Sequence, residues 1–177
     1  LGAGTFFAKL LGAIYRIPLT ALIGGVGLGL YQMIFPVYTV LLDFSGAGVP
    51  NALSKIIAEK SEQEGYGFFI TSVRFFAVIG LVGSLLMACF ARPFSILQGN
   101  KDAFLGYITL APAIFFVNLI SCYRGFFQGK MNMFPTALSQ IIEQTIKLVL
   151  GLVLVYIFVP DIKMAVAGAT LAISVSE

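Results

Sequence analysis

Charged side chains stand inside two apolar stretches of the chain, and these residues are the ones best able to do chemistry. Arg16 lies about 16 Å into a helix that would begin near residue 5, at a rise of about 1.5 Å per residue. Lys9 precedes it by two helical turns on the same face. An arginine fork suits phosphate oxygens, because it offers paired donors with a permanent charge. The two cations therefore predict a site for an anionic headgroup, with a structural pair between Arg16 and an acid of a neighbouring helix as the alternative.

A second group of polar residues follows one side of a later apolar stretch. Glu143 and Lys147 are spaced i, i+4 with the acid first, which is the favourable order for an ion pair within one helix. Ser139, Gln140 and Gln144 lie on roughly the same side. The stripe predicts either a helix that faces a water-filled cavity or a polar network that only holds helices together.

Asp43 is the third charge of interest, close to the helix-breaking run at residues 45–50. A carboxylate there would gate the cytoplasmic mouth of a cavity, or bind a coupling cation together with freed backbone carbonyls. It would equally serve to accept hydrogen bonds from loose amides at the break. Pro18, Pro36 and Pro50 near these charges predict bent helices.

The composition identifies the surroundings of these charges as a membrane. Apolar residues make up 59% of the 177 residues, charged residues only 11%, and the mean hydropathy is +0.97. Soluble domains carry about 25% charged residues. The apolar runs are continuous, which favours helices over the alternating strands of a barrel. The fold class is therefore an all-α integral membrane protein.

Several other classes of function are disfavoured by the same counts. Histidine is absent, and Cys89 and Cys122 lack metal-site spacing, so we expect no metal and no cofactor. A net charge of +3 without basic clusters gives no support for nucleic-acid binding. The glycine string at residues 24–29 has no strand before it and no Lys-Ser/Thr after it, so it predicts a helix–helix turn. An enzyme on lipid-linked sugars would show clustered acids or histidines near an interface, and we expect no enzymatic activity.

The length of the apolar runs gives the predicted spans. A bilayer core of about 30 Å needs about 20 residues per helix. The polar residues 60–65 predict a solvated loop, and Gly125 to Gly129 predict a tight interfacial connection. The spacing of these two glycines also matches the small-xxx-small motif of helix packing, although both lie at the end of a span. The six predicted spans are residues 5–23, 28–46, 71–91, 103–123, 134–159 and 164–177, the last of them truncated.

The positions of Lys and Arg predict the orientation of these spans. With the N-terminus in the cytoplasm, six Lys and Arg residues lie on the inner side of the membrane and three on the outer side, which agrees with the positive-inside rule. The inner set is Lys9, Lys55, Lys60, Arg74, Arg124 and Lys130, and the outer set is Arg92, Lys101 and Lys163. The chain starts with Leu1 and stops at Glu177 within an apolar run, so we expect it to be part of a longer polypeptide.

Three motifs resemble one protein family. They are GAIYRIP (residues 12–18) with GLGLYQMIFPVY (27–38), SGAGVPNALSKIIAE (45–59) and CYRGFFQGKMNMFPTALSQIIEQTIKL (122–148). Together they resemble the stage V sporulation protein B-like polysaccharide biosynthesis proteins. These belong to the multidrug/oligosaccharidyl-lipid/polysaccharide exporter superfamily, which also contains the lipid II flippases.

The resemblance implies an N-terminal lobe of about six helices from a two-lobe transporter in the bacterial cytoplasmic membrane. It implies alternating-access movement of undecaprenyl-pyrophosphate-linked sugars, driven by the membrane potential or by a coupled ion. Arg16 matches the first-helix arginine of the central cavity in the lipid II flippases. That family often has an acid directly after this arginine, whereas Ile17 stands here, which leaves Asp43 or Glu143 as substitute partners. Further cavity cations would come from the second lobe.

Two other functions remain as alternatives to a flippase. One is a cation-coupled multidrug exporter of the same superfamily, whose cavity would favour acids over cations. The other is a structural membrane subunit without transport activity.

Overall fold

The computed structural model of the protein describes residues 10–43 and 48–177 in full, and the backbone alone of residues 2–9, 44 and 45. Every element of secondary structure in these ranges is helical. The elements are α1 (Gly2–Ser45), α2 (Val49–Glu59), α3 (Glu62–Cys89), α4 (Ala91–Leu97), a 3-10 turn (Lys101–Ala103), α5 (Phe104–Gly129), α6 (Phe134–Phe158) and α7 (Ile162–Ser176).

Helix α1 is divided at Gly24, which has a non-helical backbone with φ 63° and ψ −172°. Only glycine adopts such a conformation readily, because it has no Cβ. The division gives a first arm (residues 2–23) and a second arm (residues 25–45). Tyr15 of the first arm and Tyr31 of the second line the same cavity, so the second arm folds back along the first. The glycine string thus forms its turn at a single residue.

The molecule is a multi-pass membrane protein by the length and apolar character of its helices. Among the residues that the structure describes, four helical segments are long and apolar enough to cross a bilayer, while α7 is shorter. These segments are Leu10–Asp43, Glu62–Cys89, Lys101–Gly129 and Phe134–Phe158. The first of them contains most of both arms of α1, and each complete arm is about 30 Å long. Large apolar side chains such as Val78, Leu85 and Tyr156 are exposed on the outside, as contact with lipid requires.

Helix α5 lies at the centre and contacts α1, α2, α3 and α7. Its side chains Tyr107, Leu110 and Ile114 are fully buried. Helix α5 packs closely against α2, since a Cβ added at Gly125 would lie only 3.0 Å from the Pro50 Cα. One at Gly129 would lie 2.8 Å from the Ser54 carbonyl oxygen. The two glycines therefore let the α2 and α5 backbones meet, as small-xxx-small spacing does in membrane helices.

The structure corrects two predicted connections. The polar run at residues 60–65 does not form a loop throughout, because α3 begins at Glu62. Glu62 and Glu64 stand in its first turn, where negative charge stabilises the helix N-terminus. The predicted connection at Gly125 to Gly129 is the last part of α5, since its glycines pack on α2 instead of turning the chain.

Candidate functional site

A cavity of about 530 Å³ lies between the two arms of α1 and α6. It contains two basic side chains, Arg16 from the first arm and Lys147 from α6. Polar groups of the second arm, Gln32 and Thr39, line the facing wall. The full lining is Gly12, Tyr15, Arg16, Leu19, Tyr31, Gln32, Phe35, Pro36, Thr39 and Lys147. Two cations and several apolar surfaces suit a ligand that is both anionic and amphipathic.

Arg16 also borders a second, wider depression on the outer face of the first arm. This depression measures about 800 Å³ and includes Ile17 and Thr20. Arg16 and Ile17 are both exposed, so the arginine stands at the edge between two open spaces. Arg16 therefore lines open space on both sides of the first arm.

Arg16 forms no ion pair with either of its two expected acid partners in the part of the chain that the structure describes. Neither Asp43 nor Glu143 forms an ion pair with it, although both are described. Asp43 is exposed near the end of the second arm, one turn beyond Thr39 on the face that lines the cavity. Arg16 thus keeps its charge uncompensated within this part of the chain.

Glu143 pairs with a residue that the sequence did not single out for this role. Its Oε2 accepts a hydrogen bond from Arg124 Nη2 at 2.7 Å, between side chains only 14% and 19% exposed. Arg124 Nε donates to Ser139 Oγ at 3.1 Å, and Gln144 Nε2 donates to Glu143 Oε1 at 2.9 Å. The network joins α5 to α6.

The predicted ion pair between Glu143 and Lys147 is therefore wrong. No ion pair joins these two residues, although the structure describes both of them. The physical reason is that α5 brings a guanidinium with several donors to the carboxylate, which the single lysine of the same helix does not match. Lys147 is left half-buried at the cavity wall.

The remaining predicted residues divide between the cavity and its surroundings. Gln144 lies against the first arm, since a Cβ at Gly12 would be 3.4 Å from its Oε1. Gln140 is half-buried one turn earlier on α6. The side chain of Lys9 lies outside the described residues.

Sequence reasoning missed Tyr31, Gln32 and Thr39 of the second arm, and the pairing role of Arg124. The signal for the first three was the turn at Gly24, which puts the second arm opposite Arg16. The signal for Arg124 was its place near the short connection between α5 and α6. Glu143 lies at a similar depth in the helix that follows this connection. Opposite charges at similar depth in adjacent membrane helices are expected to pair.

Comparisons with known proteins point to one family. The sequence pattern of the family described as polysaccharide biosynthesis protein matches residues 1–177. Stage V sporulation protein B of Bacillus subtilis is 31% identical over an alignment of 176 positions, which covers 96% of this chain and 34% of that protein. Lipid II flippase MurJ of the same organism is 29% identical over 189 residues, covering 97% of this chain and 35% of that protein. The chain thus spans about a third of the length of these relatives. No solved structure matches it significantly.

Proposed function

Because the chain belongs to the polysaccharide biosynthesis protein family, we propose that it forms part of a flippase for polyprenyl-pyrophosphate-linked sugars. The observation that carries this proposal is the cavity between α1 and α6. It combines Arg16 and Lys147 with apolar walls, and its described lining includes no acid. A pyrophosphate would meet paired guanidinium donors and a second positive charge there.

The amphipathic lining fits the two chemical parts of such a lipid. The pyrophosphate and sugars would occupy the polar cavity, while the polyprenyl tail would stay in the surrounding bilayer. Gln140 and Gln144 would bind sugar hydroxyls or phosphate from α6, and Lys9 would draw the headgroup toward Arg16. We assign Glu143 the supporting role of holding this polar face of α6 together.

Transport would proceed by alternating access between this lobe of about six helices and a second, C-terminal lobe of the same polypeptide. The open depression beside Arg16 and Ile17 supports a wall supplied from elsewhere. The length of the relatives, about three times the matched part, agrees with a second lobe. Asp43, on the cavity face of the second arm, would act at the gate or bind a coupling ion.

The proposed setting is the bacterial cytoplasmic membrane, with the N-terminus inside. The headgroup would then enter from the cytoplasm, on the side where the first arm of α1 begins and the second arm ends. The driving force would be the membrane potential, which is worth about 2.3 kcal/mol per charge at 100 mV, or a coupled ion. No covalent chemistry is proposed for the protein. A cation-coupled drug exporter is less well supported, because cationic drugs would meet like charges at Arg16 and Lys147.

The test is the translocation of a lipid-linked sugar by the intact protein in liposomes. Arg16→Ala should lower the initial rate at least tenfold, because the guanidinium that meets the phosphate is gone. Arg16→Lys should retain part of the rate, since the charge remains without the paired donors. Lys55→Gln, on the exposed face of α2, is the matched control and should leave the rate unchanged. Full activity in both Arg16 variants would refute the role given to this residue.

A further inference from the structure

We infer that Arg124 is a positioning residue for the cavity. By pairing with Glu143 it holds that carboxylate away from Lys147, and so preserves the positive charge that faces the ligand. This inference rests on the proposed function, because it explains how the cavity remains suited to an anionic headgroup.

The competition is between two cations for one carboxylate. Glu143 and Lys147 have the spacing and order that favour an ion pair within a helix. In the structure, however, Glu143 bonds to Arg124 at 2.7 Å and is not part of the cavity lining, whereas Lys147 is. The lysine is therefore left available to a ligand only because another cation occupies the acid.

Both oxygens of the Glu143 carboxylate accept a hydrogen bond from another side chain. Oε2 receives the Arg124 guanidinium, and Oε1 receives the Gln144 amide at 2.9 Å. Ser139 fixes the guanidinium from its other edge through a hydrogen bond of 3.1 Å to Nε. A charged bond is strengthened where water is largely excluded, and both side chains are mostly buried.

Removal of Arg124 would release the carboxylate to the nearest remaining cation. Lys147 is one helical turn away, within reach of a change of side-chain rotamer. Glu177, at the end of α7, is a second acid within electrostatic range of Arg124, Glu143 and Lys147. Without Arg124, Lys147 would be the cation left to the Glu143 carboxylate, and the cavity would lose much of its attraction for anions.

The experiment measures binding of undecaprenyl pyrophosphate to the intact protein in nanodiscs. We expect Arg124→Met to weaken binding about tenfold. The double variant Arg124→Met/Glu143→Gln should return to within threefold of the wild type, because the released negative charge is absent. Because the double variant also removes the destabilising unpaired acid, affinities are compared for the folded fraction only, and the labelling of Lys147 distinguishes the inference from a purely structural role. Wild-type affinity in the single variant, or a double variant as weak as the single one, would overturn the inference.

A second measurement does not depend on the ligand. The rate at which an amine-reactive acylating reagent labels Lys147, followed by mass spectrometry, should fall severalfold in Arg124→Met and recover in the double variant. A constant rate would overturn the inference. If the wild type does not bind the pyrophosphate, the proposed function fails, while the labelling still decides the role of Arg124.

One variant keeps the inference testable if Arg124→Met does not fold. Glu143→Gln removes the acid and leaves Arg124 an oxygen to bond. If Arg124 already screens the acid, this variant should bind the pyrophosphate within threefold of the wild type. A tenfold gain would overturn the inference, because Glu143 would then be neutralising the cavity in the native protein.

Discussion

The two sides of the molecule differ in how they use polar groups and close packing. On the cavity side, formed by α1 and α6, Arg16 and Lys147 line an open space. On the scaffold side, formed by α2, α3 and α5, aromatic rings stack closely, with 4.4 Å between the Phe69 and Phe126 centroids. The two α5 glycines that touch α2 belong to this side as well. The two cavity cations thus face open space, whereas α2 and α5 meet backbone to backbone.

Ion pairs differ between the regions in the same way. Arg124 and Glu143 form a largely buried pair at the boundary between α5 and α6. Lys130 and Glu62 form a pair at 2.9 Å on the scaffold side, where the glutamate is 85% exposed. Loss of one partner costs far more stability in a buried pair than in an exposed one. Substitutions on each side should therefore affect different properties.

The largest expected effect is on stability, at the contact between α2 and α5. Gly129→Ala should lower the free energy of unfolding by about 1–3 kcal/mol, because its Cβ would overlap the Ser54 carbonyl at the interface. Thermal unfolding in detergent measures this change. Ligand affinity of the folded fraction should stay at the wild-type value.

Gly67→Ala is the matched control for this substitution. Gly67 is an exposed residue of α3, and a Cβ added there would meet no neighbouring group within 4 Å. The control should be neutral or stabilise the helix by about 0.5–1 kcal/mol. Equal loss of stability in both variants would show that the contact with α2 is not close.

The next effect is on binding, at the cavity side. Lys147→Gln should weaken binding of a polyprenyl pyrophosphate about tenfold, which corresponds to about 1.4 kcal/mol. The side chain remains long and polar, so the melting temperature should change little. Equilibrium binding in nanodiscs measures the affinity, with Lys55→Gln as the exposed control. An unchanged affinity would remove Lys147 from the proposed site.

The smallest effect is expected at the exposed pair on the scaffold side. Lys130 Nζ donates a hydrogen bond to Glu62 Oε1 at 2.9 Å, and this charged bond requires the ionised carboxylate. The pair therefore adds stability while the carboxylate is ionised, and this contribution is lost in acid as the carboxylate takes up a proton. Glu62→Gln should therefore melt slightly below the wild type at pH 7, and the difference should disappear in acid.

Two measurements check this small effect: unfolding at high ionic strength, and substitution of the nearby acid Glu59. High ionic strength should abolish the difference, because exposed charges are screened. Glu59→Gln changes an exposed acid that has no ion pair within the described chain, and it should melt as the wild type does at both pH values. A larger loss at low pH than at pH 7 would contradict the assignment.

Much of the fold could be read from local sequence. The apolar runs predict membrane helices because length and hydropathy are local properties, and the turn at Gly24 follows from the glycine string. The family was identified from motifs around Arg16 and Glu143, and the match over residues 1–177 confirms it. Local sequence did not decide between a connection and helix packing at Gly125 and Gly129, because a glycine that ends a helix cannot be told from one that packs against another helix.

The candidate site was predicted only in part. The depth of Arg16 and the polar stripe of α6 were visible in the sequence, since both depend on position along one helix. The partner of Glu143 was not, because the choice between Lys147 and Arg124 depends on which helices are neighbours. The cavity residues of the second arm also depended on how two helices face one another.

The sequence by itself determined that this chain is an all-helical membrane protein of the polysaccharide biosynthesis family with a few charges among apolar residues. Composition and helical spacing are enough for that, because each acts over one or two turns. Only the tertiary structure decided which of those charges are neutralised: Arg124 pairs with Glu143, while Arg16 and Lys147 face a cavity. The physical reason is that an ion pair depends on distances of a few ångströms between helices, and these are set by packing.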